Sequence, residues 1–441
     1  MMNDFAKGLI KYLVRKDDEV EFRIRTGTEM YRKGFGEIRL TGPDGKPVSR
    51  AKIRLKQKTH EFLFGCNAFM LNQFPEAEQN RKYEEVFASL FNEAVVPFYW
   101  SDLEPEEGEL RFETGSRPVY RRPPTDEVVE FCSRYGILPK GHPLCWHCFK
   151  PAWLPNNPAQ VMRKLDRRMA QIAERYGDKI FLWDCVNEAQ TRLPHMWPTG
   201  KVVYPDDHVH RVFRMADRYF PNATLLYNDD RRWWDFNGDY TPVYLLIRSL
   251  QEHGCRVGEL GLQFHMFDNF LHGEHENFLN PRILFLCLDL YAKLGIPVNF
   301  SEVSIVSRRD LGDGDAFQEL VTEKLYRLWF SHPAVNAVTW WNLVDGTAAY
   351  APLGSEDGEN SLRAGLVNYD FSPKPAFKVL EHLIKHEWHT ETELDYEDGA
   401  LNQFHGFYGT YEAEISTDSG TFTRILELGR KNCNIFPLDL K

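Results

Sequence analysis

The sequence predicts an α/β fold, a (β/α)8 TIM barrel, with a small accessory β-domain built from the two ends of the chain. Three observations carry this. Eight short, nearly wholly apolar runs alternate with eight segments of helical periodicity between residues 62 and 386. Such runs are parallel strands buried on both faces, and eight of these units close on themselves. The flanking stretches alternate with the period of strands, yet each is too small to hold a core alone. Neither a GxGxxG turn nor a P-loop is present, as an open doubly wound sheet would lead one to expect.

Residues 1–19 read as a short amphipathic start. From Val20 the pattern reads as β: Val20 to Arg25 and Gly36 to Thr41 alternate, Pro43 to Pro47 is a turn, and Val48 to Leu55 returns as a second arm. Barrel strands are expected at Phe62–Cys66, Ala94–Trp100, Ile137–Cys145, Ile180–Val186, Thr224–Asn228, Leu260–Phe264, Ile296–Glu302 and Val335–Trp341. Helices follow at Glu76–Phe91, Thr125–Tyr135, Pro158–Tyr176, His208–Tyr219, Pro242–His253, Pro281–Leu294, Ala316–Phe330 and Pro375–His386. Gly136, Gly254 and Gly295 close three of them. Phe404 to Ile415, the turn Thr417 to Gly420, and Thr421 to Leu428 read as a hairpin. The expected domains are therefore 1–60 and 389–441, pairing into one β unit, around a barrel at 61–388.

Composition sets the class. The chain has 441 residues, 43% hydrophobic and 14% aromatic, with eleven Trp and nineteen Tyr. Net charge is −11, no basic stripe is evident, and the Arg-Arg pairs at 121, 167, 231 and 308 are scattered and read mostly as solvated face. Nucleic acid is not an expected partner. No apolar run approaches a membrane span, and the first twenty residues lack a signal-peptide core, so the chain as given reads as cytoplasmic unless a leader was trimmed. Cys145-Trp-His-Cys148 imitates half a zinc site, but no second CxxC completes it. No metal or organic cofactor is expected.

The chemistry lies where strands end. Asn187-Glu188 closes the fourth strand and Glu302 closes the seventh. Two carboxyl groups brought together from strand ends are what glycoside hydrolysis needs: one protonates the leaving oxygen, the other attacks or assists at the sugar carbon. Other polar residues gather at the same ends: His142 and Trp146-His147 on strand three, Asn228-Asp229-Asp230 on strand five, Gln263 and His265 on strand six, and Trp341-Asn342 with Asp345 on strand eight. One polar strand end is ordinary capping; six in register make a site.

These motifs resemble glycoside hydrolase family 10, mainly endo-β-1,4-xylanases on a (β/α)8 barrel. The likeness rests on Trp183-Asp-Cys-Val-Asn-Glu188, Gly141-His142-Pro-Leu-Cys-Trp146-His147, Tyr227-Asn228-Asp, Gly261-Leu-Gln263-Phe-His265, Glu302, Trp341-Asn-Leu-Val-Asp345 and Pro373-Lys-Pro-Ala-Phe377. The resemblance implies that Glu188 is the acid/base and Glu302 the nucleophile of a retaining double displacement on a carbohydrate substrate. It implies that Asn187 holds the 2-hydroxyl of the reacting sugar and that His265 bonds the nucleophile. His142, Asn228 and Gln263 fall in that same sugar site, Trp146 and Trp341 form its walls, and Tyr99 occupies a sugar-binding position. The chain departs from the family at strand two, where Val96 and Tyr99 replace an Asn and a Lys that grip the sugar one position beyond the reacting unit. The family's second aromatic wall falls on Ala349, beside Tyr350. Extra aromatics in the Pro194–Pro198 and Arg231–Phe236 loops are expected to reshape the cleft for a decorated xylan, another β-glycan or a glycoside with an apolar aglycone.

Overall fold

The computed structural model describes residues 1–190, 201–230, 233–234, 240–267 and 275–441. Contacts divide the chain into two compact units: Met1–Arg15, Phe64–Lys324 and Ala334–Phe377 in one, and Lys16–Leu63, Leu325–Pro333 and Lys378–Lys441 in the other. The first fifteen residues thus go with the barrel rather than with the terminal β unit. Their short helix Asp4–Leu9 is capped by Asn3, whose backbone N–H also reaches Leu311 O at 3.1 Å.

In the terminal unit, β1 (Lys33–Thr41) and β2 (Arg50–Gln57) are not the arms of a hairpin. A single bridge, Thr41 to Pro47, joins their ends, and each strand enters a different sheet. The C-terminal segments supply the partners: β12 (Glu391–Glu397), β13 (Gln403–Phe407), β14 (Gly409–Thr417), β15 (Gly420–Leu428) and β16 (Ile435–Asp439). β1 lies between β13, antiparallel, and β16, parallel. β2 lies between β12 and β14, and β15 extends that sheet as the far arm of the expected hairpin. The stretch 404–415 is therefore two strands in two sheets, divided at Tyr408.

Strict alternation in β2 explains its central place. Ala51, Ile53, Leu55 and Gln57 turn inward, while Lys52, Arg54 and Lys56 turn outward opposite Asp395, Glu393 and Glu391 of β12. Opposite charges in directly facing pairs fix this register, because a one-residue slip would bury the lysines. The buried side chains of both sheets, among them Ile38, Leu40, Ile53, Leu55, Tyr411, Ile415 and Leu428, form one core.

Val20 to Arg25 is not a strand but part of a helix, Asp18–Arg32. Asp17 caps it, its side chain accepting from Val20 N, and Asp18, Glu19 and Glu21 crowd the first turn, where the helix dipole favours negative charge. The inward positions are Val20, Gly27 and Arg32, and the alternating Phe22 is left exposed. Gly27 permits a close approach: a Cβ there would stand 2.4 Å from Ser331 O.

The barrel is closed. Its strands are β3 (Leu63–Asn67), β4 (Glu93–Pro97), β5 (Leu138–His142) continued by β6 (Cys145–Trp146), β7 (Leu182–Asn187), β8 (Thr224–Asp229), β9 (Glu259–His265), β10 (Val298–Ser304) and β11 (Val335–Trp340). Each pairs in parallel with the next, and β11 lies beside β3. The third barrel strand breaks at a cis His142–Pro143 bond, and β4 ends at Pro97, so that Trp100 begins a short helix instead. Helices at Ala77–Leu90, Thr125–Tyr135, Pro158–Tyr176, His208–Tyr219, Pro242–Glu252, Pro281–Ala292, Gly314–Ser331 and Pro375–His382 fall within two residues of expectation, except where the last passes into a π turn. Among the described residues, no helix is long and apolar enough to cross a membrane.

The barrel interior is not wholly apolar. Glu93, Lys140, Asp184 and Glu259 are buried within it. Burial opposes a charge on Lys140, but Asp184 at 3.3 Å and Glu93 outweigh it and raise its pKa. Burial likewise opposes ionisation of Asp184, and Lys140 with His142 more than reverses that.

Candidate active site

The C-terminal ends of β7 and β10 bring Glu188 and Glu302 together, which no spacing in the chain could have fixed. Glu188 leaves β7 in the left-handed backbone region, at φ +52°, a conformation non-glycine residues rarely adopt outside constrained sites. Its backbone N–H is held by Asn228 O at 2.7 Å. Trp146 Nε1 donates to Glu188 Oε2 at 3.0 Å, and Gln263 Nε2 donates to Oε1 at 3.0 Å.

The same Gln263 nitrogen lies 3.2 Å from Glu302 Oε1. Bonds of 3.0 Å and 3.2 Å laid end to end hold those two carboxyl oxygens within about 6.2 Å. That bound fits the spacing of a retaining pair, about 5–5.5 Å, and lies below the roughly 6.5–9.5 Å that an inverting enzyme needs for its water.

Glu302 is surrounded by donors. Asn228 Nδ2 reaches Oε1 at 2.8 Å, and His265 Nε2 lies 3.2 Å from Oε2. A carboxylate only accepts, so His265 carries a hydrogen on Nε2, and its Nδ1 shares a hydrogen bond with Ser304 Oγ at 2.8 Å. Ser301 Oγ donates to Asn228 Oδ1 at 2.5 Å and so turns the Asn228 amide toward Glu302. Ser301 and Ser304 are thus the supports of Asn228 and His265.

Glu188 stands in a different field. Loss of hydration, then the charges of Asp230 and Glu302, push its carboxyl well above the ordinary range, against the pull of the Gln263 bond. Asp230 thereby has a physical effect: it helps keep Glu188 protonated. Both carboxyl groups accept N–H bonds, but Glu188 also meets the charge of Asp230, whereas Glu302 gathers Asn228, Gln263 and His265 around it; unlike surroundings of this kind suit one carboxyl to the acid role and the other to the nucleophile role.

The remaining predicted residues line the same mouth. His142 Nδ1 donates to Asp184 Oδ2 at 2.7 Å, and the ring is buried at the mouth. Trp341 stands edge-on to His142 at 5.5 Å and to His265 at 6.0 Å. Asn187 is buried beside the pair, and its Nδ2 has no acceptor among the described residues. A buried amide donor with no partner is uncommon and marks a place where a ligand oxygen would be welcome. Tyr99 packs against His142, Trp146 and Phe149.

Several expectations change. Arg121 and Arg122 are not solvated: they are 3% and 6% exposed, and the Arg122 guanidinium carbon lies over the Tyr99 ring, 3.6 Å from its centre, while Nε bonds Asp102 at 2.9 Å. Trp233 is not a cleft aromatic: it is fully buried, and its Nε1 donates to Gln263 O at 2.8 Å. Pro194–Pro198, Arg231, Arg232, Asp235 and Phe236 lie outside the described residues. Asp345 binds Lys374 Nζ at 3.2 Å and Gly365 N at 2.7 Å, tying the strand-eight loop to the start of the last helix. Burial raises the Cys145 thiol to about 12. Asp184 and Lys140 were missed because their meaning is positional: a strand interior is normally apolar, so a charged residue there was the signal.

Comparison with known proteins agrees with this geometry. The family model for glycosyl hydrolase family 10 matches residues 57–382. The chain is 25% identical over 410 residues to endo-1,4-beta-xylanase 2 of Arabidopsis thaliana, covering 90% of this chain but only 34% of that protein. It is 25% identical to endo-1,4-beta-xylanase B of Thermotoga neapolitana, covering 74% of this chain and 88% of that one. In fold it resembles xylanase 10B from Thermotoga petrophila, solved in complex with xylobiose, with a TM-score of 0.57 at 21% identity over 74% of this chain and 95% of that one. A parallel barrel with two bridged glutamates at its mouth, matched across its whole length by one family model, leads to one assignment: the chain belongs to glycosyl hydrolase family 10.

Proposed function

We propose that the protein hydrolyses β-1,4-xylosidic bonds of xylan or xylo-oligosaccharides with retention of configuration. The observation that carries this is the Gln263 bridge, which holds one oxygen of Glu188 and one of Glu302 within about 6.2 Å while their surroundings differ. Glu302 attacks the anomeric carbon as the Glu188 proton passes to the leaving oxygen, and the glycosidic bond breaks. Water then attacks the glycosyl ester, gives its proton to Glu188, and restores the Glu302 carboxylate. Asn187 Nδ2 meets the sugar 2-hydroxyl, His142 Nε2 meets a neighbouring oxygen, and Trp146 and Trp341 wall the ring. The xylanase relatives support the sugar, and endo cleavage is the mode their names carry. A second reading, hydrolysis of a non-xylan β-glycoside, is favoured by the aromatic packing around Tyr99, where sugar-gripping amide and ammonium groups would otherwise stand.

The test is product chromatography with wild type and Glu302→Gln on xylan, xylo-oligosaccharides, mixed β-glucans, and aryl and saponin β-glycosides. Xylo-oligosaccharide hydrolysis by the wild type alone supports the proposal. Cleavage of another glycoside alone moves the substrate and keeps the mechanism. Binding of a glycan without cleavage overturns the enzymatic reading.

A further inference from the structure

β8, β9 and β10 lie side by side in that order, so Asn228 and Glu302 belong to strands separated by β9. Neighbouring strands stand about 4.8 Å apart, and a side-chain bond from β8 to β10 has to cross the strand between them. Two such crossings are made through one amide. Asn228 Nδ2 reaches Glu302 Oε1 at 2.8 Å, and Ser301 Oγ reaches Asn228 Oδ1 at 2.5 Å. Asn228, Ser301 and Glu302 are all buried.

Two features of the backbone allow this. Consecutive side chains of a regular strand point to opposite faces, yet Ser301 and Glu302 meet the same amide. The reason is an extra residue in β10. Against β9, the pairing steps from Asn299 with Gly261 to Glu302 with Gln263, three residues on one strand and two on the other. Against β11, it steps from Phe300 with Val338 to Val303 with Trp340, again three against two. A bulge of this kind re-aims side chains, and here it turns Ser301 to the same amide as Glu302. The second feature is Gly261, which pairs with Asn228 on one side and with Asn299 on the other, and so lies under the crossing. A Cβ there would stand 2.9 Å from Asn228 Oδ1 and 3.1 Å from Ser301 Oγ, crowding both ends of the bond. Glycine leaves the path open.

We propose that Ser301 is a positioning residue for the nucleophile, brought to Asn228 by the extra residue in β10 and by the bare backbone at Gly261. This rests on the hydrolase reading above and specifies how Glu302 is held for attack. An Asn228 amide turned over would present Oδ1 to the Glu302 carboxylate, two acceptors facing each other. The Ser301 hydroxyl, donating to Oδ1, holds the amide with its N–H on Glu302. The hold matters most once Glu302 is an ester and its charge is gone. Ser301 then keeps the amide in place to receive the carboxylate when water releases the sugar.

The experiment is inactivation by the 2,4-dinitrophenyl 2-deoxy-2-fluoro-β-xyloside and the matching β-glucoside, with wild type, Ser301→Ala, Ser301→Thr and Gly261→Ala. Glu302 bonds to the anomeric carbon as the bond to the aryl oxygen breaks. Dinitrophenolate leaves with the electron pair and needs no proton from Glu188, so the rate constant reads the nucleophile. Ser301→Ala is expected to lower that constant roughly tenfold, with the probe's dissociation constant within about twofold of wild type and little change in Tm. Ser301→Thr keeps the hydroxyl and is expected to recover the constant to within about threefold of wild type. Gly261→Ala is expected to slow inactivation at least as much as Ser301→Ala. The double variant should be no slower than the worse single one, since both changes remove one bond. An unchanged constant in folded Ser301→Ala, or a loss confined to probe binding, overturns this proposal alone. Should Ser301→Ala not fold, Ser301→Cys, close in shape with a weaker donor, is judged by the same criteria. Wild type unreactive toward both probes, with no glycoside hydrolysed, overturns the hydrolase reading, and this proposal with it.

Discussion

Replacing Gln263 with leucine removes one nitrogen that serves both carboxyl groups and keeps the side chain's volume. Its bonds to Glu188 at 3.0 Å and to Glu302 at 3.2 Å are lost together, while the Trp233 bond to the Gln263 carbonyl survives because it is made by the backbone. A hydrogen bond to a charged partner is worth about 1.5–3 kcal/mol. Loss of that amount in the transition state lowers kcat/KM roughly 10- to 150-fold. The pH dependence carries the sharper signature. The Gln263 N–H favours the ionised form of Glu188 and so pulls its carboxyl down. Without it, burial, Asp230 and Glu302 act unopposed and the carboxyl rises further. The basic limb of kcat/KM reports the protonated acid of the free enzyme, and it is expected to move to higher pH in Gln263→Leu. The assay is initial rates on an aryl β-xyloside across pH 4 to about 9, with thermal unfolding as a check on the fold. A basic limb that stays in place or moves down, in a folded variant, refutes the reasoning.

Three further outcomes follow from the same geometry. Glu302→Gln is expected to lower kcat by about four orders of magnitude or more with little change in Tm, since a neutral amide cannot form the ester; steady-state rates and a melting curve check both. Asp184→Asn removes the ion-paired anion beside buried Lys140 and leaves Glu93 as its nearest compensation, so chemical unfolding should show a loss of about 3–5 kcal/mol, partly recovered by adding Lys140→Met. Glu259 sits between Asn336 and Asn299, and burial raises it to about 7. The folded state therefore binds a proton that the unfolded state has already lost between pH about 4.5 and 7, so stability contributed by this group falls as pH rises through that window. Glu259→Gln is expected to flatten the urea-unfolding profile there and to gain about 3 kcal/mol relative to wild type between pH 5 and 8; an unchanged profile would place the titration elsewhere.

Much of the site was legible because its signals are local. Glu188 and Glu302 end apolar runs, and a carboxylate at the end of a buried strand stands out in a sequence. The barrel followed from periodicity alone, and all its helices but the last were found within two residues because caps such as Asn157 and Thr241 and the prolines after them are short-range devices. Errors gathered where a local pattern had two physical meanings. Val20 to Arg25 alternates like a strand, yet the acidic first turn behind Asp17 made it a helix. β1 and β2 flank a turn like a hairpin, yet better partners for both lay more than three hundred residues away.

The sequence by itself determined the alternation of strands and helices, the two glutamates and most of the residues around them, because these depend on periodicity and residue type over a few turns of chain. Only the tertiary structure decided that one Gln263 amide would bridge the two carboxyl groups, that Asp230 would raise one of them, that Arg122 would lie on Tyr99, and that the terminal strands would interleave into two sheets. Each of these depends on distances between groups remote in sequence, and those distances are set by how the barrel closes and how the sheets pair, not by the spacing of letters along the chain.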